Sequence, residues 1–197
     1  GARVSGSRLS TREFSTKDRI LGAILFERTM NSRVEGRPTA EYLWEVKHVV
    51  PFLKVDKGMH EAANGAQLMK DIPDLDAQCA RAKELGVFGT KMRSVIKSAN
   101  AAGIEAIVDQ QFAEGRRILG TGLVPILEPE VDIHAPNKEK AEERLHDLIR
   151  EHIDSLPIDA RIMLKLTIPN SDDLYADFIA DPKVLRVVAL SGGYSRE

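Results

Sequence analysis

One cysteine in 197 residues leaves no disulfide framework and no cysteine-built metal site. That residue, Cys79, lies in a polar, helix-like stretch. Such sparing use of thiols points to a reducing compartment, so a cytoplasmic protein is expected. An excess of charge of one sign is also missing. Lys and Arg number 28 against 30 Asp and Glu, a formal net charge of -2, and the two signs are interspersed. No nucleic-acid footprint follows from that pattern. No apolar run approaches the roughly 18 residues of a membrane span, so no membrane partner is expected. Neither GxGxxG nor GxxxxGK[ST] occurs, which removes the Gly-rich phosphate loops of the common nucleotide folds. His60 and Glu61 open like HExxH, but Asn64 stands where the second zinc ligand belongs. The remaining histidines, His48, His134, His146 and His152, are scattered over expected loops and helices. No metal and no cofactor are expected.

What the sequence does hold is material for a core, with 43% hydrophobic and 29% charged residues. From residue 20 onward short apolar runs alternate with longer amphipathic segments, the pattern of strand-helix units around a parallel sheet. Six strands are expected: ILGAILFE (20–27), VVPFLK (49–54), GVFGTK (86–91), LVPILEPE (123–130), RIMLKLTI (161–168) and VLRVVALS (184–191). Their near-continuous hydrophobicity suits strands covered on both faces. Helices are expected over TAEYLWEV, DLDAQCARAKEL, the segment from SVIK to RRILG, NKEKAEERLHDLIREHIDSL and SDDLYADFIA, with Asp74, Asn137 and Ser171 as caps. Without a nucleotide loop, a barrel is favoured over a doubly wound sheet. An eight-stranded α/β barrel usually takes about 250 residues, so this one is expected to be incomplete.

The informative feature is where the charges fall. Side chains two apart on a strand share a face, so Met163, Lys165 and Thr167 point one way and Ile162, Leu164 and Leu166 the other. With the leucine face on the helices, Lys165 enters the barrel, where burial favours a neutral, nucleophilic amine. A structural lysine paired to a carboxylate is the other reading of the same position. Neighbouring strands repeat the placement. Glu128 and Glu130 share a face, as do Lys91 and Arg93, and Lys54 and Asp56; Ser191 precedes Gly192 and Gly193. Barrel active sites assemble at such C-terminal strand ends. Lys54, Lys91 and Arg93 can bind phosphates or polarise oxygens, the backbone amides of 191–193 can form an anion nest, and Glu128 or Glu130 can shuttle protons. A phosphorylated carbonyl compound suits that inventory.

The segments ILGAILFERTM, PFLKVDKG, FGTKMRS, PILEPEVDI, MLKLTIPN and VLRVVALSGGYSRE, in that order and spacing, closely resemble the bacterial branch of class I fructose-bisphosphate aldolases. The resemblance covers nearly everything from residue 20 onward. It implies a (β/α)8 TIM barrel and metal-free, reversible cleavage of fructose 1,6-bisphosphate to dihydroxyacetone phosphate and glyceraldehyde 3-phosphate. Lys165 matches the family's Schiff-base lysine and Glu128 its principal acid/base, while Lys91 and Glu130 match residues that tune proton transfer. Lys54, Arg93 and the Ser191-Gly192-Gly193 turn match substrate- and phosphate-binding positions.

The family's opening strand, of AALDQS type with an aspartate for carbon-carbon cleavage, has no counterpart in residues 1–19. Its closing strand, with a phosphate-binding arginine in an SFSRAL-like motif, has none after SGGYSRE. Residues 1–19 are therefore expected as a non-homologous tail, linker or tag, with an Arg- and Ser-rich targeting segment as the alternative. Residues 20–197 are expected to carry about six of the eight parallel strands, leaving an open seam and no efficient cleavage by this chain alone. Open edges invite pairing with another chain, so a homo-oligomer is among the expected partners. The competing functions are a lysine-dependent aldolase for another sugar phosphate and a non-catalytic, aldolase-derived interaction protein.

Overall fold

A computed structural model describes residues 20–190. Six parallel strands make up its seven-stranded sheet together with one short antiparallel strand: β1 (Gly22–Leu25), β2 (Val50–Lys54), β3 (Gly89–Ile96), β4 (Val124–Val131), β5 (Ile162–Thr167) and β6 (Val184–Leu190) are the parallel ones. They lie side by side in chain order, each paired with the next. The helices α1 (Leu75–Glu84), α2 (Ala101–Gly120), α3 (Lys138–Asp154) and α4 (Ala176–Ala180) cross between strands. Among the described residues β1 and β6 do not pair with each other, so the sheet curves as an incomplete barrel and stays open at that seam.

Strand parity divides the side chains as the sequence pattern predicts. Leu25, Leu53, Met92, Leu127 and Leu164 face the helices and join the main core with Ile104, Ile107, Phe112, Leu145 and Ile149. The opposite faces supply a separate apolar cluster of Phe52, Ile126 and Met163, against which Ile24 and Val188 pack. This inner cluster floors the barrel below the charged strand ends. Cys79 is a buried core side chain, and burial pushes its thiol up to about 11. It is chemically quiet in that setting. No helix among the described residues is long and apolar enough to cross a membrane.

Several boundaries differ from expectation. β3 runs on to Ile96, because Ser94, Val95 and Ile96 continue the ladder opposite Pro129, Glu130 and Val131. The segment SVIK therefore belongs mostly to a strand, where cross-strand pairing outweighs its helix-compatible pattern. Helix α2 starts only after Asn100, whose side chain accepts from the Gly103 N–H at 3.0 Å. Asp74 and Asn137 do occupy N-cap positions, but neither makes a side-chain cap hydrogen bond. Ser171 is no cap at all: α4 begins after Tyr175, and the Ser171 hydroxyl donates to Glu139 instead. The TAEYLWEV segment makes three α-helical residues, Thr39–Glu41, followed by a π-helical turn, Tyr42–Val46.

The connection after β2 folds back over the strand ends, where Ala66 and Gln67 pair antiparallel with Ile96 and Val95. Two contacts hold it on α2. A Cβ on Gly103 would fall 2.1 Å from the Asn64 carbonyl oxygen, so only glycine permits this approach. Gln110 then clamps Met69, its Oε1 accepting from the backbone N–H at 2.8 Å and its Nε2 donating to the carbonyl at 2.9 Å.

Candidate active site

Four adjacent strands each deliver a charged side chain to the inner face above the Phe52–Ile126–Met163 floor. Glu128 of β4 is the centre, with a side chain only 1% exposed. A carboxylate that deeply buried costs several kcal/mol unless cations compensate it. Two do. Lys165 of β5 donates to Glu128 Oε1 at 2.8 Å, and the Lys91 ammonium of β3 lies 2.9 Å from Oε2. Lys91 is also 3.7 Å from Asp56 Oδ2, whose other oxygen accepts from Lys54 at the end of β2. Lys54 makes a second bond, 2.8 Å, to the Asp56 carbonyl.

The result is a continuous row, Lys54–Asp56–Lys91–Glu128–Lys165, in which charge alternates across the strand ends. Three ammonium groups against two carboxylates leave a formal positive excess, which favours an anionic substrate. Lys165 and Lys54 are each 27% exposed against 10% for Lys91, so of the two amines on Glu128 the one that solvent or substrate can reach is Lys165. The next tier toward the strand ends pairs Arg93 with Glu130. Beyond it Lys97 meets Asp132 at 2.8 Å. That ammonium, with the His134 N–H, holds the Asp132 carboxyl below the usual range.

The structure thus brings together Lys54, Lys91, Arg93, Glu128, Glu130 and Lys165 from the sequence candidates. Ser191, Gly192 and Gly193 lie outside the described residues. The two cations expected to bind phosphate both have carboxylate partners here. Among the described residues Arg93 is bound only through Nε, to Glu130, and it is 42% exposed, which leaves its terminal nitrogens facing no partner there. Sequence reading placed Asp56 on one face with Lys54 but gave it no role. It is the second buried carboxylate of the row, 4% exposed, and its signal was the two-residue period Phe52, Lys54, Asp56. Lys91 has no other nearby anion besides Asp56 and Glu128 among the described residues.

The histidines stand apart from this row. His146 and His152 lie on α3 and pair with Asp177 and Asp109. Among the described residues no group of three His, Cys, Asp or Glu side chains is arranged to hold a metal ion. A second buried ammonium, Lys138 at the start of α3, belongs to another cluster. It binds the Glu142 carboxylate, the Ile168 carbonyl at 2.9 Å and Asn170 Oδ1 at 2.9 Å.

Cations and carboxylates gathered at the C-terminal strand ends of a parallel α/β sheet mark the place where barrel active sites assemble. Residues 7–152 match the family described as "Glycolytic: Fructose-bisphosphate aldolase class-I". The match begins within the segment 1–19 that the sequence reading set apart. The chain is 57% identical over 190 residues to a "Fructose-bisphosphate aldolase class 1" of Synechocystis sp., covering 96% of this chain and 63% of that protein. To the protein of that name from Porphyromonas gingivalis it is 56% identical, covering 97% and 64%. A solved fructose-bisphosphate aldolase from Plasmodium falciparum, in a ternary complex with TRAP and a small-molecule inhibitor, shares the fold. There the TM-score is 0.62 at 20% identity, over 86% of this chain and 57% of that one. The chain belongs to the class I fructose-bisphosphate aldolase family. It spans just under two thirds of the length of these curated relatives.

Proposed function

We propose that the natural protein carrying this sequence cleaves fructose 1,6-bisphosphate reversibly, through an imine on Lys165, in the cytoplasm. The observation that carries the reading is the buried carboxylate of Glu128, shared between two ammonium groups, 2.8 Å from Lys165 and 2.9 Å from Lys91. In that pair Glu128 is the proton acceptor in contact with Lys165. Once deprotonated, Nζ attacks the C2 ketone and forms a carbinolamine. Glu128 returns a proton to the departing hydroxyl, water leaves, and an iminium remains. Glu128, a carboxylate again after that donation, takes the C4 hydroxyl proton as the C3–C4 bond breaks. The electron pair moves into the iminium to give an enamine on Lys165 and a free aldehyde. Protonation of the enamine at C3 and hydrolysis release the ketone and restore Lys165.

Lys91 stabilises the Glu128 carboxylate from the other side, and Glu130 orients Arg93 through the Nε contact. Arg93, Lys54 and the 191–193 backbone are the phosphate candidates. Trapping tests the reading. Fructose 1,6-bisphosphate plus borohydride should leave a stable secondary amine on the peptide containing Lys165, and label on another lysine would refute the assignment.

Because the iminium serves as the electron sink, no Lewis acid is needed at C2. Turnover should therefore be unchanged in excess EDTA. Loss under chelation with recovery on adding zinc would count against the imine mechanism.

A further inference from the structure

One buried polar side chain behind the charged row has no part in that chemistry. Gln111 sits on α2 with 0% exposure, in a helix face otherwise made of Ile104, Ile107, Val108, Phe112, Gly115 and Ile118. An amide placed there has to be matched by partners. Its Oε1 accepts from the Glu128 backbone N–H at 3.3 Å, and its Nε2 donates to Ser94 Oγ at 2.9 Å and toward the Met92 carbonyl at 3.4 Å. The opposite amide orientation would set an NH2 group against the Glu128 N–H, so the orientation is fixed by its partners.

The bond lies where the sheet loosens on one side. The β4–β5 register comprises Ile126↔Met163 and Leu127↔Leu164 alone. Beyond it the strands are joined by side chains: Lys165 donates to Glu128, and the Thr167 hydroxyl accepts from the Val131 N–H and donates to its carbonyl. Glu128 is the first residue past that register, and its carboxylate accepts from Lys165. Glu128 keeps its place opposite Arg93 in the β3–β4 ladder, and Gln111 adds a side-chain acceptor at its N–H where pairing with β5 has stopped. The same amide holds β3 at Met92 and Ser94, the residues flanking Arg93 and following Lys91.

We infer that Gln111 is a positioning residue for the acid/base, fixing the backbone of Glu128 against β3 so that its carboxylate stays between Lys91 and Lys165. The inference rests on the proposed role of Glu128. Gln111→Met keeps the length and removes the hydrogen bonds. It should lower kcat about three- to tenfold, the kinetic equivalent of one hydrogen bond. KM should stay within about twofold, and the pH–rate profile should shift. Gln110→Met is the matched control on the same helix: it removes the Met69 clamp and touches neither strand, so it should lower Tm and leave the pH profile as it was.

In a Glu128→Gln background Gln111→Met should cause no further loss of kcat. If Gln111→Met does not fold, Gln111→Asn, one methylene too short to span the gap, carries the same test. An unchanged kcat and pH profile per folded molecule in whichever variant folds would overturn the inference. Full turnover in Glu128→Gln itself would instead overturn the role given to Glu128.

Discussion

Lys165→Met will give a folded protein that forms no borohydride-stable adduct and cleaves no substrate, whereas Glu128→Gln will still be trapped and lose about 10²–10⁴ in kcat. The difference comes from what each removal leaves behind. Methionine fills nearly the space of the lysine stem but has no nucleophile, and Glu128 keeps Lys91 at 2.9 Å, so the buried carboxylate is not orphaned. The covalent step is lost without a collapse of the site. Glutamine at 128 preserves shape and hydrogen-bonding length but cannot take the proton that Lys165 sheds or return it to the leaving hydroxyl. Imine formation then proceeds slowly with water as the proton carrier. Rapid-quench kinetics with peptide mapping separates the two cases. Trapping retained in Lys165→Met, or turnover within about tenfold of wild type in Glu128→Gln, would show that the roles are misassigned.

The parts of this arrangement that could be read in the sequence are those that local periodicity encodes. Each strand is an almost unbroken apolar run, so its existence was evident, and the two-residue period put Lys54, Lys91, Glu128 and Lys165 on one face before any contact was known. What escaped were features set by partners distant in the chain. β3 continues through Ile96 because β4 is there to pair with it, and nothing local marks SVI as strand rather than helix. Gln111 and Glu142 look like ordinary surface residues of charged helices. Both fall on the 3.6-residue apolar stripe of their helix, Gln111 between Ile107 and Gly115 and Glu142 between Lys138 and Leu145. A polar group in such a stripe is the signal to look for a buried partner. The partner itself, Glu128 N–H in one case and Asn170 N–H in the other, is visible only once the chain is folded.

Lys138→Met will destabilise the protein by about 3–5 kcal/mol, the usual result of removing one member of a buried ion pair. Glu142 is fully buried on α3, one turn from Lys138, and its other oxygen accepts from the Asn170 N–H at 2.9 Å. Lys138 divides its three donors among Glu142, the Ile168 carbonyl and Asn170 Oδ1. These contacts pin the start of α3 to the loop that leaves β5 three residues after Lys165. Methionine would leave an uncompensated carboxylate with one hydrogen bond. The double variant Lys138→Met/Glu142→Leu removes both charges and should recover most of the loss, since apolar residues of similar volume often replace a buried pair at little cost. In thermal melts of the natural protein the single variant should fall by about 6–20 °C at roughly 2–4 °C per kcal/mol, with the double variant melting closer to wild type. Hydrogen exchange at Ile168 and Asn170 should quicken in the single variant, because the loop loses its anchor on α3. A single variant that melts within about 2 °C of wild type, less than 1 kcal/mol on that scale, would mean that the ammonium contributes nothing to holding Glu142 in the core.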